Sequence, residues 1–239
     1  MNTDRCHLLV FGLSANPVHE GHVALVTETV RALTGRGYRL AGALLLPTYR
    51  RNPVGSAKER LPRTFDHRFA MCRLGAQEIR RRLERPAVAV RASRIEKWLV
   101  RDSTEPNYTV ETLAALDRLT SDECELLFLM SADLFAGEEP EFARWVEPER
   151  IARLATLALA PRPGYTRNEA YVRHLEAEGG QVLTLDEVET PAVSGTEIRR
   201  QLQAGADPLA LADEGLLPRS VAAYLIENPL YREWATEEA

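Results

Sequence analysis

Six short apolar runs recur along the chain, separated by longer stretches with helical spacing. Cys6–Leu13, Leu40–Pro47, Ala87–Ala92, Glu125–Ser131, Leu154–Ala160 and Gln181–Leu185 read as strands. Near-continuous apolar strands with helices between them predict a parallel sheet covered on both faces. After the second run, Phe65, Phe69, Cys72, Ala76, Ile79 and Leu83 recur at steps of four and three, which is one helical face. Arg68, Arg73, Arg80, Arg81 and Arg82 are expected on the other faces of that helix. Thr109–Leu119, Asn168–Glu178 and Ser220–Glu227 also read as helices. Strands alternating with helices imply right-handed βαβ units and an α/β fold built on a doubly wound parallel sheet. Ligands of such sheets bind outside the carboxyl ends of the strands, so the residues that follow each strand carry the most information.

Composition narrows the function class. The 239 residues are 45% apolar, enough for a core, which argues against disorder, collagen and coiled coil. No apolar stretch approaches the length of a membrane span. Acidic residues number 35 against 30 basic ones, a net charge of −5, which argues against a nucleic-acid polymer as partner. Lys58 and Lys97 are the only lysines, so arginine supplies almost all of the positive charge. Cys6, Cys72 and Cys124 lack metal-ligand spacing, lie in apolar segments and read as buried free thiols of a reducing compartment. The first residues lack the features of a signal peptide, so a cytoplasmic location is expected. With no linker or repeat visible, residues 1–239 read as one domain, a sheet core over 1–190 and a C-terminal helical segment over 191–239.

Candidate chemistry sits at two helix starts. The first strand runs into Phe11-Gly12-Leu13-Ser14-Ala15-Asn16-Pro17-Val18-His19-Glu20-Gly21-His22. Asn16-Pro17 is turn chemistry leading into a helix, and His19 and His22, three apart, project to one side of its first turn. A helix N-terminus favours an anion. The plain alternative is a strand–turn–helix with two incidental histidines; metal binding lacks a nearby third ligand, and no Walker or dinucleotide glycine pattern is present. After the sixth strand comes Ser194-Gly195-Thr196-Glu197-Ile198-Arg199-Arg200. Ser194 and Glu197 fit a capping box, which leaves Thr196, Arg199 and Arg200 unexplained; hydroxyls and arginines at a helix start make a second anion site. Two such starts facing one cleft could hold a polyphosphate.

These two segments resemble the signatures of the HxGH nucleotidylyltransferase superfamily: Pro17 to His22 for the first, and Ser194, Thr196, Ile198 and Arg199 for the second. Within it the chain is most similar to the nicotinate (nicotinamide) mononucleotide adenylyltransferases. The similarity extends to Pro47 with Asn52-Pro53 and Lys58, to Arg68 and Met71, and to Asn107-Tyr108-Thr109-Val110-Glu111-Thr112-Leu113. It continues through Ser131-Ala132-Asp133, Phe142 to Trp145 and Ile151, Arg162-Pro163-Gly164, and the ending Leu217-Pro218, Val221, Tyr224-Leu225-Ile226 and Leu230-Tyr231. The resemblance implies a Rossmann-like nucleotidylyltransferase fold and transfer of AMP from ATP to nicotinate mononucleotide, giving deamido-NAD and pyrophosphate. Mg2+ would arrive with ATP, with no metal site built by the protein. A homo-oligomer is left open.

The resemblance also assigns residues. His19, His22 and Arg199 would be catalytic. Gly12, Leu13, Ser14, Asp133, Ser194, Thr196 and Arg199 would bind ATP, and Asn16, Lys58, Tyr108, Thr109, Trp145 and Arg162 the mononucleotide. Arg50, Arg51 or Lys58 would form a cationic loop, with a solvated loop as the plain alternative. Asp133 as a strand-end cap and Trp145 as core packing are the corresponding alternatives for those residues. Trp98 has no register relative to the pocket, and Trp234 lies in an acidic tail. The chain departs from the family pattern at Leu13, Ala15 and Asn16, which stand for a glycine, an aromatic and an aspartate, and at Gly195, which stands for a serine. Other readings are the nicotinamide mononucleotide as acceptor, a related transferase acting on another phosphate such as phosphopantetheine or glycerol phosphate, and a noncatalytic nucleotide sensor.

Overall fold

A computed structural model describes residues 5–50, 64–83, 88–100, 106–120 and 124–231. The elements run β1 (Cys6–Leu13), α1 (Glu20–Gly35), β2 (Arg39–Pro47), α2 (Phe65–Leu83), β3 (Ala89–Ala92), α3 (Ile95–Leu99) and α4 (Thr109–Leu119). They continue with β4 (Cys124–Ser131), α5 (Pro148–Leu154), β5 (Thr156–Ala160), α6 (Glu169–Ala177), β6 (Val182–Thr184), α7 (Gly195–Gln203), α8 (Pro208–Asp213) and α9 (Arg219–Glu227). Two 3-10 turns, Ala132–Phe135 and Glu141–Arg144, lie between β4 and α5.

The six strands form one sheet in the order β3-β2-β1-β4-β5-β6, and every pairing is parallel. The chain leaves β1 in one direction through β2 and β3, then returns to the other side of β1 with β4. This reversal opens a crevice at the carboxyl ends of β1 and β4.

Period-two alternation divides the core. Leu9, Phe11 and Leu13 of β1 face one layer, with Val23, Val26 and Val30 of α1 and Met71 and Ile79 of α2. Val10 faces the other layer, with Leu113 of α4, Phe128 and Met130 of β4, Ile151 of α5 and Leu175 of α6. Ile198, Leu202, Leu211, Val221 and Leu225 of α7, α8 and α9 belong to the first layer. The C-terminal helices therefore bury their apolar faces against the same cluster as β1 and α1, rather than forming a core of their own. Among the described residues no helix is long and apolar enough to cross a membrane.

Three sequence expectations change. The fifth strand begins at Thr156; Leu154 instead closes α5, which Pro148 opens at its first turn. An apolar run cannot by itself separate the end of a buried helix from the start of a buried strand. Arg68 is not on an outer face of α2: it is 1% exposed, among Phe65, Met71, Cys72 and Gly75. Positions 65, 68, 72, 75 and 79 also keep helical spacing, so the periodicity includes Arg68 and only its charge argued otherwise. Of the three cysteines, Cys72 is buried, and burial pushes its thiol well above the usual range. Cys6 and Cys124 are half-buried register partners at the starts of β1 and β4, the sheet end opposite the crevice.

Candidate active site

The crevice is a cavity of about 1200 Å³ lined from β1, the turn after it, α1, β4, the first 3-10 turn, Trp145, Arg162 and the segment entering α7. One end lies between the starts of α1 and α7. His19 is the N-cap of α1, and His22 sits one turn later. Their rings stack at 3.6 Å between centroids, inclined by 23°. The His19 backbone N–H donates to His22 Nδ1 at 3.3 Å. An Nδ1 that accepts places the proton of a neutral imidazole on Nε2, and His22 lines the cleft. Gly21 between the two is closely packed: a Cβ there would lie 3.1 Å from the His19 ring, which would have to shift slightly.

The α7 start faces this pair. Ser194 caps α7, its Oγ accepting from Glu197 N at 3.4 Å. The expected reciprocal half of the capping box is missing, because the Glu197 carboxylate takes Arg200 and Gln201 instead. Those partners hold the Glu197 carboxyl down to about 2. Arg200 is thereby directed outward and does not line the cleft, contrary to a site that gathers both arginines. Arg199 does line it, donating from Nη1 to the Asn16 carbonyl at 2.8 Å and from Nη2 to Thr196 Oγ1 at 3.0 Å. Burial lowers the pKa of its guanidinium, an effect that Tyr231 opposes. Gly195 approaches the same group; a Cβ added there would lie 3.4 Å from His19 Cδ2 and 3.5 Å from Arg199 Nη1, which is ordinary contact.

The turn between β1 and α1 is held from below and from the far end of the chain. Arg68 donates from Nη1 to the Ser14 carbonyl at 3.1 Å and to the Thr48 carbonyl. It thus ties the ends of β1 and β2 together with a buried cation. Asn16, 6% exposed, accepts from Tyr231 Oη through Oδ1 at 2.7 Å. Ala15 adopts a left-handed φ of 53° and the Asn16–Pro17 peptide is cis. Leu13 touches the cleft, but its side chain packs in the core and its carbonyl accepts from Thr48 N. Gly12 is exposed at the cleft floor beside the Phe128 ring.

The other end is wider and mixed. Trp145 is half-buried, with Phe142 edge-on at 5.3 Å and Phe128 at 6.4 Å, so it combines core packing with a place in the cleft wall. Thr109 lines the cleft at the start of α4; Tyr108, the N-cap, does not and packs against the second layer. Asp133 and Arg162, expected on different substrates, pair with each other at 2.7 Å. Asp133 Oδ1 is buried without a hydrogen-bond partner. Lys58 and Arg51 lie outside the described residues, and Arg50 does not line the cleft.

Residues beside or in the cleft that had no role in the sequence reading include Glu96, Glu141, Tyr165 and, behind the turn, Arg68. Glu96 lines the cleft and accepts from Tyr49 N at 2.8 Å; burial pushes its carboxyl up to about 7 against that hydrogen bond and the Arg68 charge. Glu96 also accepts from Asn107 through its carbonyl, and Asn107 exchanges two hydrogen bonds with the Arg50 backbone. This network joins the end of β2 to the segment entering α4. Tyr165 is 51% exposed, an aromatic surface beside Arg162 whose only sequence cue was its position after Arg-Pro-Gly. Among the described residues no group of three His, Cys, Asp or Glu side chains could hold a metal ion.

No family model matches the chain. It is 31% identical over 240 residues to a probable nicotinate-nucleotide adenylyltransferase of Dechloromonas aromatica, covering 93% of this chain and 96% of that protein. A probable nicotinate-nucleotide adenylyltransferase of Bordetella avium is 30% identical over 224 residues, again covering 93% and 96%. The fold is similar to that of Plasmodium falciparum nicotinic acid mononucleotide adenylyltransferase complexed with NaAD, with a TM-score of 0.69 over 94% of this chain and 97% of that one, at 15% identity. A sheet that opens at β1 and β4, two facing helix starts bearing His19, His22 and Arg199, and relatives matched along almost their whole length agree with one another: the chain belongs to the nicotinate-nucleotide adenylyltransferase family.

Proposed function

We propose that the cleft transfers the adenylyl group of ATP to nicotinate mononucleotide, releasing pyrophosphate and forming deamido-NAD. The observation that carries this reading is the convergence of His19, His22, Thr196 and Arg199 from two helix starts onto one cavity. Polyphosphate needs N–H donors and cationic charge, and both are concentrated there.

The mononucleotide's 5′-phosphate oxygen attacks the α-phosphorus of ATP in line, and the bond to the bridging oxygen of pyrophosphate breaks. No covalent enzyme intermediate is required, so positioning and charge stabilisation carry the acceleration. His22 donates its Nε2 proton in a hydrogen bond to the α-phosphate region, with His19 stacked beside it. Arg199, Thr196 and Ser194 receive the β- and γ-phosphates; the Arg199 fork, already seated on Asn16 and Thr196, loses little freedom on binding. Mg2+ enters as part of the ATP substrate. Phosphate oxygens and water would supply most of its ligands, as is usual for Mg2+ that arrives with a nucleotide. The unpartnered Oδ1 of Asp133 suits a metal-bound water or the ribose.

The nicotinate ring stacks on Trp145 with Thr109 at its edge. Asn16 and Tyr108 are not used in this reading, because one side chain is engaged by Tyr231 and the other packs away from the cavity. The sheet and the C-terminal helices act as one catalytic unit in this reading, since α7 supplies part of the phosphate site, and the cytoplasm is its proposed location. The test is turnover of ATP and Mg2+ with each mononucleotide, read as pyrophosphate release. Nicotinate mononucleotide at least tenfold better than the amide form is expected. Equal or better use of the amide would reassign the acceptor, and ATP binding without turnover of either would sink the reading.

A further inference from the structure

The turn that presents His19 is fixed by a residue near the opposite end of the chain. Tyr231 is 2% exposed, follows α9, and donates from Oη to Asn16 Oδ1 at 2.7 Å across 215 residues of sequence. The Asn16 carbonyl, on the other side of the same residue, accepts from Arg199 at 2.8 Å. Arg199 and Tyr231 are also close enough to influence each other electrostatically. One residue of the turn thus joins α9's end to the cationic fork of α7, and the residue three further on is the histidine that caps α1.

We propose that Tyr231 is a positioning residue for the adenylyl transfer: through Asn16 it sets the orientation of Arg199 and the entry of the chain into His19. Three physical points lead there. A buried hydroxyl–amide hydrogen bond holds the Asn16 side chain on Tyr231, which lies outside the cleft lining, so the side chain acts as a strut. The neighbouring Ala15 is held at a left-handed φ of 53°, which a non-glycine residue keeps only where its surroundings determine it. Arg199 has one nitrogen on the Asn16 carbonyl and another on Thr196, so a shift of Asn16 turns the fork away from its phosphate direction. Displacement of a catalytic group by a fraction of an ångström lowers the rate of a reaction that relies on positioning.

This inference rests on the adenylyl-transfer reading for its kinetic test, and ATP binding provides a second readout that does not. The experiment compares Tyr231→Phe, Asn16→Ala, Asn16→Asp and the double variant Tyr231→Phe with Asn16→Ala, in the full chain. Each is measured for kcat and KM with ATP and nicotinate mononucleotide, for the ATP dissociation constant by calorimetry, and for Tm. The expected result is a folded Tyr231→Phe protein with kcat lowered at least tenfold and the KM of nicotinate mononucleotide changed less than threefold. Its ATP dissociation constant should rise several-fold. The double variant should be no worse than the poorer single one, because both remove the same strut. Asn16→Asp, which keeps an acceptor for the hydroxyl, should recover at least tenfold of the activity lost in Asn16→Ala. Tyr231→Phe with kcat and ATP affinity within twofold of the unsubstituted protein overturns the proposal, as do single losses that multiply in the double variant. If Tyr231→Phe does not fold, the Asn16→Ala and Asn16→Asp pair decides: recovery supports the strut, and equal losses overturn it. An unsubstituted protein that turns over neither mononucleotide defeats the adenylyl-transfer reading, while ATP affinities still test the strut.

Discussion

The two ends of the cleft are built in different ways. At the phosphate end, contacts are short, polar and long-range: Arg68 to Ser14, Arg199 to Asn16, Tyr231 to Asn16. At the base end, the wall consists of Trp145, Thr109, Tyr165 and Glu141, drawn from a 3-10 turn, a helix start and loops, with Tyr165 half out in solvent. The difference suits what each end holds in the proposed reaction. In-line adenylyl transfer tolerates little displacement, which fits donors locked before substrate arrives. A flat heterocycle is recognised by stacking and by a few edge contacts, which tolerate a looser frame.

Breaking the phosphate end should cost the most. His22→Ala is expected to lower kcat by about 10³-fold, the scale of losing a preorganised donor, while Tm falls only by the loss of one capping contact. Steady-state kinetics with a thermal melt checks this; near-normal kcat would remove His22 from the mechanism. Arg199→Lys keeps the charge and loses the fork that spans Asn16 and Thr196, so kcat/KM for ATP should drop about 10²-fold. A drop confined to the mononucleotide KM would put Arg199 at the wrong end.

The base end should respond in binding rather than in rate. Trp145→Ala is expected to raise the KM of nicotinate mononucleotide about tenfold, in line with a lost stacking contact of about 1–3 kcal/mol, with kcat changed less than threefold. A fall in kcat equal to that of His22→Ala would erase the distinction between the two ends.

The smallest effect is a pH dependence of stability from Glu96, which joins the end of β2 to the base end. Its carboxyl is raised from 4.5 to about 7 in the folded protein, burial being the main cause. Below the lower value both states are protonated and no cost arises. As pH rises the unfolded chain ionises first, so stability is lost between 4.5 and about 7 and levels off above that. Glu96→Gln should therefore flatten the profile, with a difference of about 1–3 kcal/mol between acid and neutral pH in denaturant titrations. A parallel profile for both proteins would mean that Glu96 carries no such penalty.

Much of this organisation is legible in the sequence. β1 (Cys6–Leu13) and α4 (Thr109–Leu119) coincide with their expected bounds, because each is a long periodic segment with clear ends. That His19, His22 and Arg199 stand at the starts of two helices also follows from reading turns at strand ends. What escaped is of two kinds. α3, α5 and α8 are 5 to 7 residues long, too short for periodicity to stand out. Arg68, Glu96 and Tyr231 are polar residues whose roles depend on partners far away in the chain, and residue type misleads when a cation or a carboxyl is buried. Tyr108 and Arg200 show the converse: they stand next to site residues in sequence, yet helix geometry turns them aside.

The sequence by itself determined the parallel sheet, the two helix starts and the residue types that suit phosphate, since these depend on local periodicity, turn chemistry and capping. The tertiary structure alone decided which side chains share the cavity and what holds them there. It pairs Asp133 with Arg162, buries Arg68 under the turn and brings Tyr231 to Asn16. The physical reason is that hydrogen bonds between residues 29, 54 and 215 positions apart leave no periodic trace along the chain. They exist only once the two core layers have packed and set the distances between strand ends.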